Sequence, residues 1–165
     1  MAHLSNEKIT EACEAVVAIS QQYQQLQWIA FKTMLVTGCR EGEIVQLHRW
    51  YLNPLGYYEM NAEKGNAVRT FEAVNLPIEF RRWIASRSTG IAPTSTDRLR
   101  SAFRQMVAYG SLTVGNKGIS THLFRYNYIR QLKAAGRDIP EIKAIMGLSS
   151  TKVVNGYLNN PVDYN

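Results

Sequence analysis

The sequence predicts a mainly α-helical single domain with one small antiparallel β-hairpin. Apolar residues recur three and four positions apart over most of the chain, which places them on one face of a helix. One stretch, residues 56–77, breaks that period with aromatic and β-branched runs on either side of "EKGN", the pattern of two strands joined by a turn. The chain has 165 residues, 45% of them hydrophobic, and no low-complexity tract, repeat or linker divides it. That is about the size at which a single core forms, so residues 1–165 are read as one domain.

Each element follows from local signals. Ser5 can cap a first helix through "NEKITEACEAVVAISQQY", whose inner stripe is Ile9, Ala12, Cys13, Val16, Val17 and Ile19. A second helix, "LQWIAFKTMLV", stops at Gly38, a residue suited to a left-handed helix end. A short helix starts near Glu41 and runs towards Trp50. The hairpin strands lie in "GYYEMNA" and "VRTFEAVNLP". Helices resume after Pro77 with "IEFRRWIA" and with "TDRLRSAFRQMVAYG", capped by Thr96 or Asp97, followed by a loop rich in Gly, Asn and Lys. Three more helices are expected near 121–135, 138–146 and 150–158, the last capped by Ser149 or Ser150.

No run approaches the eighteen or more apolar residues that a membrane span needs, and "MAHLSNEKIT" lacks the layout of a signal peptide. The expectation is a soluble, cytoplasmic protein without membrane contact. Cys13 and Cys39 show no metal-ligand or redox spacing and read as small core residues. No phosphate-binding glycine loop, HExxH or carboxylate cluster points to a nucleotide or metal, so neither cofactor nor metal is expected.

The net charge of +6 is uneven. Residues 1–96 carry nine basic and nine acidic side chains, and residues 97–165 carry ten and four. A cationic half suits a polyanion such as duplex DNA, although a solubilising surface fits charge alone equally well. Arg98, Arg100 and Arg104 on one predicted helix, with Lys117 and Arg130, are the candidate DNA contacts.

Several cations have suggestive places. In "TGCREGE", Arg40 follows a helix-ending glycine and Glu43 lies one turn on, where its carboxylate can orient a guanidinium. In "THLFRYNYIRQLKAAG", positions 122, 125, 129 and 132 share a face and are His, Arg, Ile and Leu, so His122 and Arg125 extend an inward stripe. Burying such a pair at a helix N-terminus is costly unless an anion, a carboxylate or a backbone carbonyl meets it. Lys64 sits at the hairpin tip, where most lysines are simply solvated.

These segments, in this order over residues 24–160, resemble the catalytic domain of the tyrosine recombinases, the phage-integrase and Xer-like family. "TGCREGEIVQL" is similar to that family's first box. "EKGNAVRTFEAVNLP" is similar to its lysine-bearing hairpin, and "STHLFRYNYIRQLKAAGRDIPEIKAIMGLSSTKVVNGYL" to its second box, which ends in a tyrosine. The resemblance implies a DNA strand-transferase that works through a 3′-phosphotyrosine without metal or ATP. Arg40 and Arg125 would grip the scissile phosphate, His122 would hydrogen-bond it, Lys64 would protonate the leaving oxygen, Glu43 would brace the site and Tyr157 would attack. It also implies duplex DNA as partner and protomers assembled on it.

The chain departs from the family in three places. Leu148 occupies the position, nine residues before the tyrosine, where a histidine or tryptophan usually donates to the phosphate. The given sequence carries no N-terminal core-binding domain, as expected either of an excised catalytic domain or of a short recombinase, and eight residues follow Tyr157, little for a tail that docks on a neighbour. The Leu148 departure opens an alternative, a DNA-binding relative with impaired cleavage. The same chemistry occurs in topoisomerases and telomere resolvases, and a helical protein-interaction domain would require all the boxes to be coincidental.

Overall fold

The computed structural model describes residues 2–23, 25–46, 49–62, 67–86, 95–109 and 121–164. Eight helices dominate these residues: α1 (Asn6–Tyr23), α2 (Gln25–Thr37), α3 (Glu41–Val45), α4 (Ile78–Ser86), α5 (Thr96–Tyr109), α6 (His122–Ala134), α7 (Ile139–Met146) and α8 (Thr151–Asn159). The hairpin is present as β3 (Tyr57–Asn61) and β4 (Val68–Glu72), with Tyr57 opposite Glu72 and Asn61 opposite Val68. A third strand, β2 (Tyr51–Leu52), pairs with the far edge of β3. A second ribbon joins β1 (Ala2–His3) to β5 (Asp163–Tyr164), antiparallel, and Leu4 N donates to Val162 O at 2.7 Å beside it.

Caps follow the sequence with one correction. Ser5 Oγ accepts from Lys8 N at the start of α1, as expected. At α5 the cap is Ser95, whose Oγ accepts from Arg98 N at 3.2 Å, and not Thr96 or Asp97, because the helix begins one residue earlier than its first acidic side chain suggests. Asp138 and Glu141 cap α7 reciprocally. Ser150 caps α8 through Val153 N, leaving Leu148 and Ser149 as the short link between α7 and α8.

Two apolar clusters divide the interior, and α6 serves both. The larger packs α1, α2, α5 and α6 on the sheet; Phe31 stacks on Phe124 at 5.7 Å, Phe103 stands edge-on to both, and Trp50 stacks on Phe71. The smaller joins Ile129 of α6 to Ile142, Met146, Leu148 and Val154 of α7 and α8. Leu123 and Phe124 face the first cluster and Ile129 the second, so α6 is the shared wall on which the C-terminal helices are mounted. No helix among the described residues is long and apolar enough to cross a membrane.

A buried arginine ties the sheet to both halves. Arg69 of β4 is 2% exposed; it donates through Nη2 to Thr37 O at 2.7 Å and through Nε to Ile145 O at 2.9 Å. Both carbonyls end a helix, where a backbone acceptor has no intrahelical donor and the helix dipole favours a cation. One guanidinium therefore closes the C-termini of α2 and α7 together. The strand period carries a signal for this residue, since Arg69 shares its parity with inward-facing Phe71 while Val68 and Thr70 face out.

Candidate active site

The turn after α2 sets the first cation. Gly38 adopts φ +67 and sends the chain to Arg40, which lies in extended conformation just before α3. Arg40 N donates to Glu43 Oε1 at 2.7 Å, while Arg40 Nη1 lies 3.8 Å from Glu43 Oε2. The buried Glu43 carboxylate thus caps α3 and orients the guanidinium, as the spacing of "TGCREGE" predicts.

Arg125, one turn into α6, is 1% exposed. Its Nη1 donates to Gly38 O at 2.9 Å and its Nε to Tyr157 Oη at 3.1 Å. Burial pulls its pKa below the usual arginine range; Tyr157 opposes that shift and Arg40 adds to it. Of the buried nitrogens without a hydrogen-bond partner among the described residues, two belong to these arginines, Arg40 Nη1 and Arg125 Nη2. A buried donor left unmatched costs about 1–3 kcal/mol, more when charged, so both can take a further acceptor.

Both guanidinium groups line one cleft of about 480 Å³, together with His122, Leu148, Ser149 and Tyr157. Tyr157, near the end of α8, is half-buried; its ring lies 5.5 Å from the Arg125 guanidinium carbon and edge-on to Tyr126 at 5.0 Å. Its hydroxyl oxygen already accepts a hydrogen bond from a cation, so charge developing there as the proton leaves meets a fixed donor. Leu148 is 8% exposed and packs in the smaller apolar cluster while bordering the cleft.

His122 does not face inward as the helical stripe predicts. It is exposed at the rim, because it opens α6 and helical side chains lean back towards the N-terminus, past the packing that buries Arg125 one turn later. Lys64 and Lys117 lie outside the described residues. Arg98 and Arg104 are exposed on α5. Arg100 is also exposed, but its guanidinium forks onto Glu41 Oε1, which raises its pKa. Arg130 is half-buried and directs its donors to acceptors within the chain.

Glu41 and Thr121 also line the cleft. Thr121 Oγ1 donates to Glu41 Oε2 at 2.7 Å and makes no cap to α6, so a carboxylate on α3 joins α5 to the start of α6 along one wall of the cleft. The adjacent acidic pair around Gly42 is the available clue, with Glu43 turned in and Glu41 towards the cations.

These elements form the tyrosine-recombinase catalytic-domain fold. Solved structures with this arrangement include the XerH site-specific recombinase bound to palindromic difH substrate in a post-cleavage complex, with a TM-score of 0.63, 18% identity and 94% of this chain covered against 49% of that one. A lambda integrase (75–356) dimer bound to a COC′ core site gives 0.70, 14% identity and coverage of 96% against 59%; lambda integrase is also solved as a tetramer bound to a Holliday junction. XerA recombinase gives 0.65 at 14% identity, with 96% of this chain and 60% of that one covered. The chain spans about half to three-fifths of the length of these proteins. No family model and no curated protein matches by sequence.

Proposed function

We propose that this chain cleaves and rejoins duplex DNA at a specific site through a 3′-phosphotyrosine. The observation that carries the reading is the pairing of two buried, unmatched guanidinium nitrogens with a tyrosine hydroxyl 3.1 Å from one of those same groups, all on one cleft. A phosphodiester supplies the missing acceptors through its non-bridging oxygens. Arg40 and Arg125 hold them and stabilise the added charge of the pentacovalent transition state.

In this reading Tyr157 Oη bonds to phosphorus as its proton departs, the bond to the 5′ oxygen breaks, and Lys64 gives that oxygen a proton. His122, at the rim, hydrogen-bonds the phosphate and shuttles protons. The products are a 3′-phosphotyrosyl link and a free 5′ hydroxyl, and attack by a 5′ hydroxyl reverses the step. The phosphodiester energy stays in the covalent link, so no ATP is consumed, and in this reading the guanidinium groups rather than a metal ion meet the phosphate charge. Protomers assembled on duplex DNA would exchange strands. The second reading, a DNA-binding relative with weak cleavage, is favoured by Leu148, whose side chain lines the cleft without a hydrogen-bond donor.

The test uses duplexes recovered by binding from a randomised pool, then nicked to trap the intermediate. Wild type is expected to form a denaturant-stable adduct, and Tyr157→Phe to bind equally and form none. Equal adducts in both would move the nucleophile elsewhere, with Tyr164 next to be replaced. Binding without any wild-type adduct would favour the second reading.

A further inference from the structure

Arg130 lies on α6 five residues beyond Arg125, and two of its three donor bonds reach the end of α8. Nε donates to the Tyr157 carbonyl at 3.0 Å, Nη2 to the Asn160 carbonyl at 2.6 Å and Nη1 to Asn6 Oδ1 at 3.3 Å. Tyr157 belongs to the last turn of α8, where carbonyls lack intrahelical donors and a cation is favoured. The same guanidinium lies 5.3 Å from the Tyr126 ring, and Tyr126 in turn leans edge-on against Tyr157. Arg130 therefore touches the backbone of Tyr157 directly and its ring through one neighbour.

We propose that Arg130 is a positioning residue for Tyr157 rather than a DNA contact. The proposal rests on reading Tyr157 as the nucleophile. Arg125 and Arg130 stand on one helix, so α6 holds the phosphate-gripping guanidinium and the terminal turn of the tyrosine helix in one frame. A helix end without a cap frays, and a small rotation there is magnified at a hydroxyl far from the backbone. Misplacing a reacting atom by about 1 Å costs on the order of 100-fold in rate. A phosphate contact, by contrast, would contribute to affinity and to its salt dependence.

The experiment compares Arg130→Met and Arg130→Lys with wild type in three measurements. The first is the NMR resonance of Tyr157, labelled with ¹³C at Cζ, in DNA-free protein, assigned by its loss in Tyr157→Phe. The second is duplex affinity across a salt series. The third is single-turnover adduct formation at saturating DNA. Arg130→Met is expected to shift or broaden the resonance and slow adduct formation about 100-fold, with affinity and salt slope unchanged. Arg130→Lys, which keeps a cation at the helix end, is expected to restore part of both. An unmoved resonance overturns the proposal, as does a salt slope reduced by about one with an unchanged saturated rate. If wild type forms no adduct but the resonance shifts in Arg130→Met, the cleavage reading fails and the positioning stands. Should Arg130→Met not fold, the resonance and rate of Arg130→Lys carry the test, and wild-type values for both would overturn the proposal.

Discussion

Replacing Gly38 with alanine tests the turn that brings Arg40 and Arg125 to one cleft. Gly38 has φ +67, and an added Cβ would lie 2.7, 2.8 and 2.9 Å from Cδ1, Cγ and Cβ of Tyr128 on α6. Two costs add. Left-handed backbone costs an L-residue roughly 1–2 kcal/mol. Pushing a ring root out of a packed position costs roughly 1–3 kcal/mol. The sum, about 2–5 kcal/mol, lowers the melting temperature of a domain this size by roughly 5–15 °C. Gly136 is the internal control, with φ +94 and nothing within 4 Å of an added Cβ. Gly136→Ala carries backbone strain alone, roughly 2–8 °C. The clash also displaces the Gly38 carbonyl that accepts from Arg125 Nη1 at 2.9 Å, so duplex affinity falls in Gly38→Ala and stays at the wild-type value in Gly136→Ala. Thermal unfolding followed by circular dichroism and binding followed by fluorescence anisotropy measure the two effects. Equal melting shifts would refute the steric account, and unchanged affinity in Gly38→Ala would refute the link between this turn and the cleft.

Leu148→His puts a donor on the cleft wall, and we expect single-turnover adduct formation to rise by up to about 100-fold at little change in affinity; an unchanged or slower rate would show that another side chain fills the role or that the site has packed around leucine. Glu41→Gln frees Arg100 from its internal partner, so duplex binding should strengthen and its salt slope steepen by about one phosphate contact. An unaltered slope would mean that Arg100 never reaches DNA. Burial, with Glu43 adding and Arg69 opposing, pushes the Cys39 thiol up to about 11 from the ordinary 9.0. Between those values the unfolded thiol releases its proton and the native one keeps it, so stability falls as pH rises through that window, by about 3 kcal/mol. Urea titrations on either side of the window should show a flatter pH dependence in Cys39→Ala, and identical slopes would refute the assignment.

Helix faces could be read from the sequence because their period repeats over many residues. Ile9, Ala12, Cys13 and Val16 are buried as the stripe of α1 predicts, and Gly38, Asp138 and Ser150 mark ends whose chemistry is local. β2 and the β1–β5 ribbon could not be read: two-residue strands have no period, and their partners are chosen by tertiary packing. Side-chain partners were the harder part. Arg40 and Glu43 are three residues apart, so one helical turn brings them together, but Glu41 meets Arg100 across 59 positions and Arg69 meets Ile145 across 76. Charge counting weighs sign and number and so cannot reveal the two backbone carbonyls that engage the Arg130 guanidinium.

The carbonyls at the end of α2 hold two buried arginines, Arg69 through Thr37 and Arg125 through Gly38. An apolar side chain of similar volume in place of Arg125 would remove a buried charge with one unmatched nitrogen, a change that often leaves a fold no weaker. Stability-guided redesign that replaced Arg125 would therefore take a guanidinium from the cleft while leaving the scaffold as stable or more so.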